Sequence, residues 1–213
     1  MRIVFSLLAA MIFCSLAQQA QAQVADLASV LPGDRWSYDI TDEISGDLKQ
    51  TTSVVVLSVS DAEIATRVTN RGTPRPIQIA FDRSWNRLDD DLWRYKPSDG
   101  TGIRLPLDVG KEWRFESQAS NFQNGTTLSS SGQTRVVASE KVTTAAGSFD
   151  TLKIETTVRQ VNSNDQTKVA TVNATLWYAP SVNRWVRKTQ KIQIEGRVRE
   201  SSTEELTDYS RKP

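Results

Sequence analysis

Arg35-Trp36-Ser37-Tyr38-Asp39-Ile40-Thr41 alternates by twos. Trp36, Tyr38 and Ile40 fall on one side, and Ser37, Asp39 and Thr41 on the other. Successive side chains of a strand point to opposite faces, so this is the signature of a half-buried β-strand. The rhythm recurs along the chain. Ile77, Ile79 and Phe81 alternate with Gln78 and Ala80, and Trp113 and Phe115 with Arg114 and Glu116. Leu152, Ile154 and Val158 share a face opposite Lys153, Glu155 and Arg159. Val172, Ala174, Leu176 and Tyr178 form another row, and Ile192, Ile194 and Val198 a late one. Further strands are predicted over 51–60, 62–70, 92–96 and 133–142, bounded by turn residues such as Pro32-Gly33 and Ser45-Gly46. Asn124-Gly125 is a hairpin signal set in polar flanks, which suit a ragged hairpin or a long loop equally. Helix signals are scarce. Residues 24–31 offer one or two turns before Pro32-Gly33, and 201–209 are too polar and too short.

The apolar face of each strand must be covered. No helix of useful length is on offer, so the sheet must face another sheet or curl onto itself. The expected fold is all-β: a curved antiparallel sheet forming a half-barrel or barrel, with little helix. Two related halves are also expected. Pro32-Gly33-Asp34-Arg35-Trp36-Ser37-Tyr38-Asp39 resembles Val109-Gly110-Lys111-Glu112-Trp113-Arg114-Phe115-Glu116, and Tyr95-Lys96-Pro97-Ser98 resembles Tyr178-Ala179-Pro180-Ser181. The repeat would span 32–100 and 109–190 with a linker near 96–108. Each half is too small to bury its strands alone, so 23–213 is expected to be a single domain.

Residues 1–22 read as a secretory signal. Arg2 precedes an apolar run, and Ala20-Gln21-Ala22 supplies the small-x-small pattern of a cleavage site before Gln23. Lipidation needs a small residue before the cysteine, and Phe13 precedes Cys14, so an acylated anchor is not expected. Cleavage removes the single cysteine and one of 26 basic residues, leaving charge balanced against 25 acids. That balance argues against a nucleic-acid partner and against attraction to acidic membranes. No other segment is apolar enough to span a membrane as a helix. The chain has no histidine. Zinc sites normally need His or Cys, and Ser-His-Asp and Cys-His systems are impossible. No cofactor and no metal are expected, and no catalytic residue stands out, so the chain is not read as an enzyme.

Ala145-Ala146-Gly147-Ser148-Phe149-Asp150 and Trp177-Tyr178-Ala179-Pro180 carry a resemblance. They resemble exported bacterial proteins of unknown function in which an Ala-Gly-Ser/Thr-Phe-Asp/Glu turn opens a long strand and a Trp-Tyr-Ala-Pro strand end follows. Such proteins are similar in architecture to the periplasmic lipoprotein-carrier superfamily, a half-barrel. The resemblance covers roughly 140–190 and implies a periplasmic or secreted location, but no catalytic residues. Physically, Gly147 permits the tight turn, Phe149 can plug a barrel end, and Pro180 ends a ladder because it has no N–H to donate.

Candidate contacts with a ligand or partner are Trp36, Trp85, Trp113 and Trp177. Trp36 and Trp113 alternate with polar neighbours and point inward, where packing alone would also explain them. Trp177 is out of phase with Leu176 and Tyr178 and faces the other side. The charged stretch 81–91 could offer oxygen ligands to calcium, or form a solvated hairpin tip with Arg83, Arg87 and Arg94 neutralising its acids. No privileged carboxylate pair marks a glycosidase. Two functions remain. One is a carrier-like binding protein holding an apolar or amphipathic ligand, such as a lipid, or a partner segment in its concave face. The other is an envelope structural or interaction protein with a filled core. An apolar cavity of about 300 Å³ or more would favour the first.

Overall fold

The structure is a computed structural model that describes residues 30–73 and 75–212. The signal at 1–22 lies outside the described residues, as does most of the helical turn expected at 24–31. Twelve strands follow one another: β1 (Arg35–Asp42), β2 (Leu48–Val59), β3 (Ile64–Asn70), β4 (Ile77–Phe81), β5 (Arg87–Asp90), β6 (Trp93–Lys96), β7 (Glu112–Asn121), β8 (Thr127–Thr144), β9 (Gly147–Asn162), β10 (Asp165–Ala179), β11 (Arg184–Ile194) and β12 (Arg197–Ser210). A 3₁₀ turn at Pro180–Val182 joins β10 to β11. Each strand pairs antiparallel with the next, and β1 pairs with β12, so the sheet is a closed up-and-down barrel. Of the two expected forms, the barrel is the one adopted. Closure removes every sheet edge, so no row of unpaired backbone groups is left open. Residues 201–209, polar apart from Tyr209 and the buried Leu206, lie within β12.

The alternation seen in the sequence sorts inside from outside. Trp36 and Tyr38 on β1, Val54 and Val56 on β2, and Ile154 and Val158 on β9 are buried. The intervening Lys153, Glu155 and Arg159 belong to the outer row of β9. Apolar inside and charged outside is the reverse of a lipid-facing barrel.

The two ends differ. At one end the connections are tight polar turns, and the Asn124-Gly125 turn closes the β7–β8 hairpin through Asn121 N–H donating to Thr126 O at 2.8 Å. At the other, loop 82–86, segment 97–111 and the 3₁₀ turn fold across the opening. Their Trp85, Ile103, Leu107 and Val182 are buried, and Phe149 is buried where β9 begins. Segment 97–111, which takes in most of the linker expected near 96–108, is a plug. Ile103 N–H donates to Ser84 O at 2.8 Å, and Gly102 N–H to Asn86 Oδ1 at 2.7 Å. The stretch 81–91 is therefore no solvated tip. Phe81 and Trp85 are buried, and its acids accept local hydrogen bonds. Asp82 Oδ1 takes the amides of Ser84 and Asn86, and Asp90 Oδ1 those of Leu92 and Trp93.

The turns before β1 and β7 coincide in geometry. Asp34 N–H donates to Leu31 O (3.1 Å) and Lys111 N–H to Asp108 O (3.0 Å). Gly33 and Gly110 sit at φ +93° and +95°, the left-handed position such turns reserve for glycine. Gly33 N–H then donates to Val56 O and Gly110 N–H to Val136 O, both at 2.8 Å. Trp36 and Trp113 each follow their turn glycine by three residues and are buried, opposite Val54 and Thr134. The second repeated tetrapeptide does not correspond in this way, since Tyr95 lies on β6 and Tyr178 on β10.

Candidate functional site

The barrel is not filled to its centre. Above the plugged end lies a compartment of about 200 Å³. Val54, Val68, Ile79, Val158, Val172 and Leu176 line an apolar part of its wall. These are the inward rows of β2–β4 facing those of β9 and β10. A second compartment of about 200 Å³ lies nearer the tight-turn end, between Ile40, Gln50 and Ser202. The two share Lys188, Gln190 and Glu204, so they are successive chambers of one lumen. Near that end Ile44, Leu48 and Phe122 are 65%, 58% and 52% exposed.

The floor of the first chamber is built around Arg184, which is 2% exposed. Its guanidinium carbon stands 4.1 Å from the Trp185 ring centroid, 4.5 Å from Trp85, 5.2 Å from Trp36 and 5.6 Å from Phe81. Cations favour ring faces at such distances. Yet Nε and Nη1 have no hydrogen-bond partner among the described residues. Tyr38 supplies one polar neighbour. Its hydroxyl hydrogen-bonds Arg184 and lies 3.0 Å from Trp185 O, and burial raises its pKa. Trp36 Nε1 donates to Val182 O at 3.0 Å. Two left-handed backbone positions bring this floor together: Trp85 at φ +62° and Asn183, next to Arg184, at φ +51°. Such conformations cost about 1–3 kcal/mol each and persist where the surroundings enforce them.

Further charges face the chamber. Asp99 Oδ1 accepts the amides of Arg87 (2.8 Å) and Thr101 (3.1 Å), and Oδ2 accepts the Thr101 hydroxyl at 2.7 Å. Burial pushes its carboxyl up, against the pull of Arg87. Arg87 Nη1 pairs with Asp90 at 3.2 Å. Lys188 lies opposite Glu204 in the β11–β12 register. Burial lowers its pKa, Glu204 opposes that shift, and Arg87 adds to it.

The four candidate tryptophans separate. Trp36 and Trp85 meet edge to face at 5.8 Å on the floor, and Trp85 borders the chamber directly. Trp113 is buried on β7 and borders neither chamber. Trp177 is half-buried on the outer face, its indole N–H donating to the Glu140 carboxylate. Lys153 and Arg187 stand 5.4 and 5.7 Å from its ring. The sequence reading missed Arg184, Lys188 and Glu204. A signal existed: Lys188, Gln190 and Ile192 share the parity of an inward row. The charge of Lys188 hid it.

No family model matches the chain, and no curated protein matches it in sequence. Solved structures do match in shape, three bacterial ones among them. One is named a "putative exported protein with YmcC-like fold" from Bacteroides fragilis, at 13% identity and TM-score 0.55, covering 85% of this chain and 97% of that one. The fold is YmcC-like. A "putative lipoprotein" from Parabacteroides distasonis matches at 14% identity and TM-score 0.56 over 84% of this chain and 96% of its own. The "hypothetical lipoprotein YmcC" of Escherichia coli matches at 11% and 0.52 over 86% and 89%. At these identities the likeness concerns the shape of the YmcC-like barrel alone.

Proposed function

We propose that this protein is an exported, non-enzymatic binding protein of the bacterial envelope that holds one apolar or amphipathic ligand inside its barrel. The observation that carries this is the lumen. Two communicating chambers run from an apolar wall down to a polar, aromatic floor that the plug closes off. Binding sites commonly have such a form, mostly apolar with a few placed polar groups. The signal-like residues 1–22 support export, and the names of the structural neighbours point the same way. The resemblance to lipid carriers is architectural and does not by itself bring lipid carriage.

The test is native mass spectrometry of the protein purified from its own host, followed by solvent extraction. A mass excess over the chain beginning at Gln23, removed by extraction, is the expected result. Chain mass alone, with no uptake of added amphiphiles, overturns the binding reading in favour of an envelope scaffold. One observation favours that second reading: each chamber taken singly is smaller than the roughly 300 Å³ at which ligand pockets begin. A purified chain that starts at Met1 would overturn export.

A further inference from the structure

The charges around the first chamber are not paired evenly. Arg87, Arg184 and Lys188 border it together with Asp99 and Glu204. Arg87 is engaged by Asp90, and its backbone amide is taken by Asp99. Glu204 stands opposite Lys188. Among the described residues Arg184 has no carboxylate partner within ion-pair distance, and two of its three guanidinium nitrogens lack an acceptor although the residue is 2% exposed. A buried charge normally acquires an ion pair or full hydrogen bonding, because removal from water is costly. The second chamber shows the contrast: Lys49 and Lys188 there meet Glu200 and Glu204, and Lys49 bridges Glu200 at 3.5 Å.

We propose that the ligand is a single-chain anionic amphiphile, its acidic headgroup held at Arg184 and Lys188 and its tail lying along Val54, Val68, Val172 and Leu176. This deepens the binding-protein reading and rests on it. A guanidinium favours an oxyanion, since its paired N–H groups match a carboxylate or phosphate. A cationic head would meet Arg184 unscreened. A neutral head would leave the Arg184 charge without a counterion. The apolar row continues away from Arg184 through Leu176, Ala174 and Val172 toward the tight-turn end. The headgroup therefore sits deep and the tail points to the mouth. Chambers of about 200 Å³ each accommodate one chain rather than two.

The experiment is titration calorimetry of delipidated protein with dodecanoate, dodecyl phosphate, dodecanol and dodecylammonium, below their micelle concentrations. The two anions should bind about tenfold or more tighter than the alcohol, as charge-assisted hydrogen bonds in a dry site require. The ammonium should bind weakest. In Arg184→Met the ratio of anion to alcohol affinity should collapse towards one. Lys188→Met should lower the same ratio and serves where Arg184→Met fails to fold, judged by circular dichroism. Alcohol and anions binding equally to the wild type overturns the anion inference and leaves a binding protein. Preference for the ammonium does the same. Failure of all four to bind, together with an empty protein from the host, overturns both readings. The two anion arms separate a carboxylate from a phosphate headgroup.

Discussion

Phe115 shows how finely single residues are fitted on the side of the barrel away from the lumen. Its ring lies so close to Gly132 on β8 that a methyl group there would stand 2.1 Å from the ring's tip. Gly132→Ala is expected to cost about 1–3 kcal/mol, the usual penalty for overpacking a filled core. A thermal or urea melt measures it, and Phe115→Leu in the same chain should recover part of the loss. Lys188 presents the opposite case, a charge held where water is scarce. Its native pKa is depressed by burial, with Glu204 opposing and Arg87, Asp99 and Arg184 also acting on it. Below the native pKa both folded and unfolded chains carry the proton, and the burial penalty is fully present. As pH rises from there towards about 10.4, the unfolded lysine value, the native state sheds the proton first and the penalty is relieved. Lys188→Met should therefore be more stable than wild type at neutral pH, with the gap in Tm narrowing as pH approaches 10. A gap that stays constant across that range contradicts the assignment. Of these residues, Trp36 was legible from its neighbours because alternation places an aromatic ring inside without ambiguity. Arg184 was not. It follows a left-handed Asn183 and precedes a register break opposite Trp177 and Tyr178, so counting by twos loses phase there. Composition also argues that an arginine belongs outside.

Among the elements, strands with mixed faces were readable and the plug was not. β2, β3 and β6 fall within a few residues of the stretches expected from alternation, because one face is oily and the other wet. The polar beginning of β8, with Ser129, Ser130 and Ser131, has no such contrast, so alternation does not mark it as a strand. The stretch 96–108 reads as a linker because its apolar residues follow no period. Ile103 and Leu107 are buried by loop docking, which periodicity does not report. Asn86 is the hinge of that docking. Its Oδ1 accepts Gly102 N–H and its Nδ2 donates to Asp82 Oδ2 at 2.8 Å. Asn86→Ala leaves both groups without that partner, and the expected loss is about 1–3 kcal/mol. Faster exchange of the Ile103 amide should accompany it, because that amide is held by Ser84 O on the same loop. Stability lost without any change at Ile103 would mean that the loop and the plug are not coupled. A second tie holds the seam between first and last strands. Asp34, fully buried before β1, accepts the Lys212 amide at 2.7 Å and the Leu31 amide at 3.1 Å.

Across the whole molecule, closure makes every strand depend on two neighbours, yet the seams are unequal. β8 and β9 stay in register from Leu128 opposite Asn162 to Thr144 opposite Gly147, broken once between Val136 and Ala138. β5 and β6 share one registered pair, Asp89 with Arg94, and their carboxylate and guanidinium meet on the surface at 2.9 Å. An exposed pair of that kind is worth about 0–1 kcal/mol. Local opening should therefore begin at β5–β6, the cheapest place to break the ring, while β8–β9 opens only with the whole barrel. Native-state hydrogen exchange should find the amides of 87–96 least protected among the strands and those of 148–158 most protected. The same seam carries Arg87, whose side chain reaches into the first chamber, so an anion bound there should raise protection at β5 more than at β8. Uniform protection around the barrel would contradict the unequal-seam account. Protection that rises everywhere equally on adding dodecanoate would place the ligand's effect on global stability rather than on this wall of the lumen.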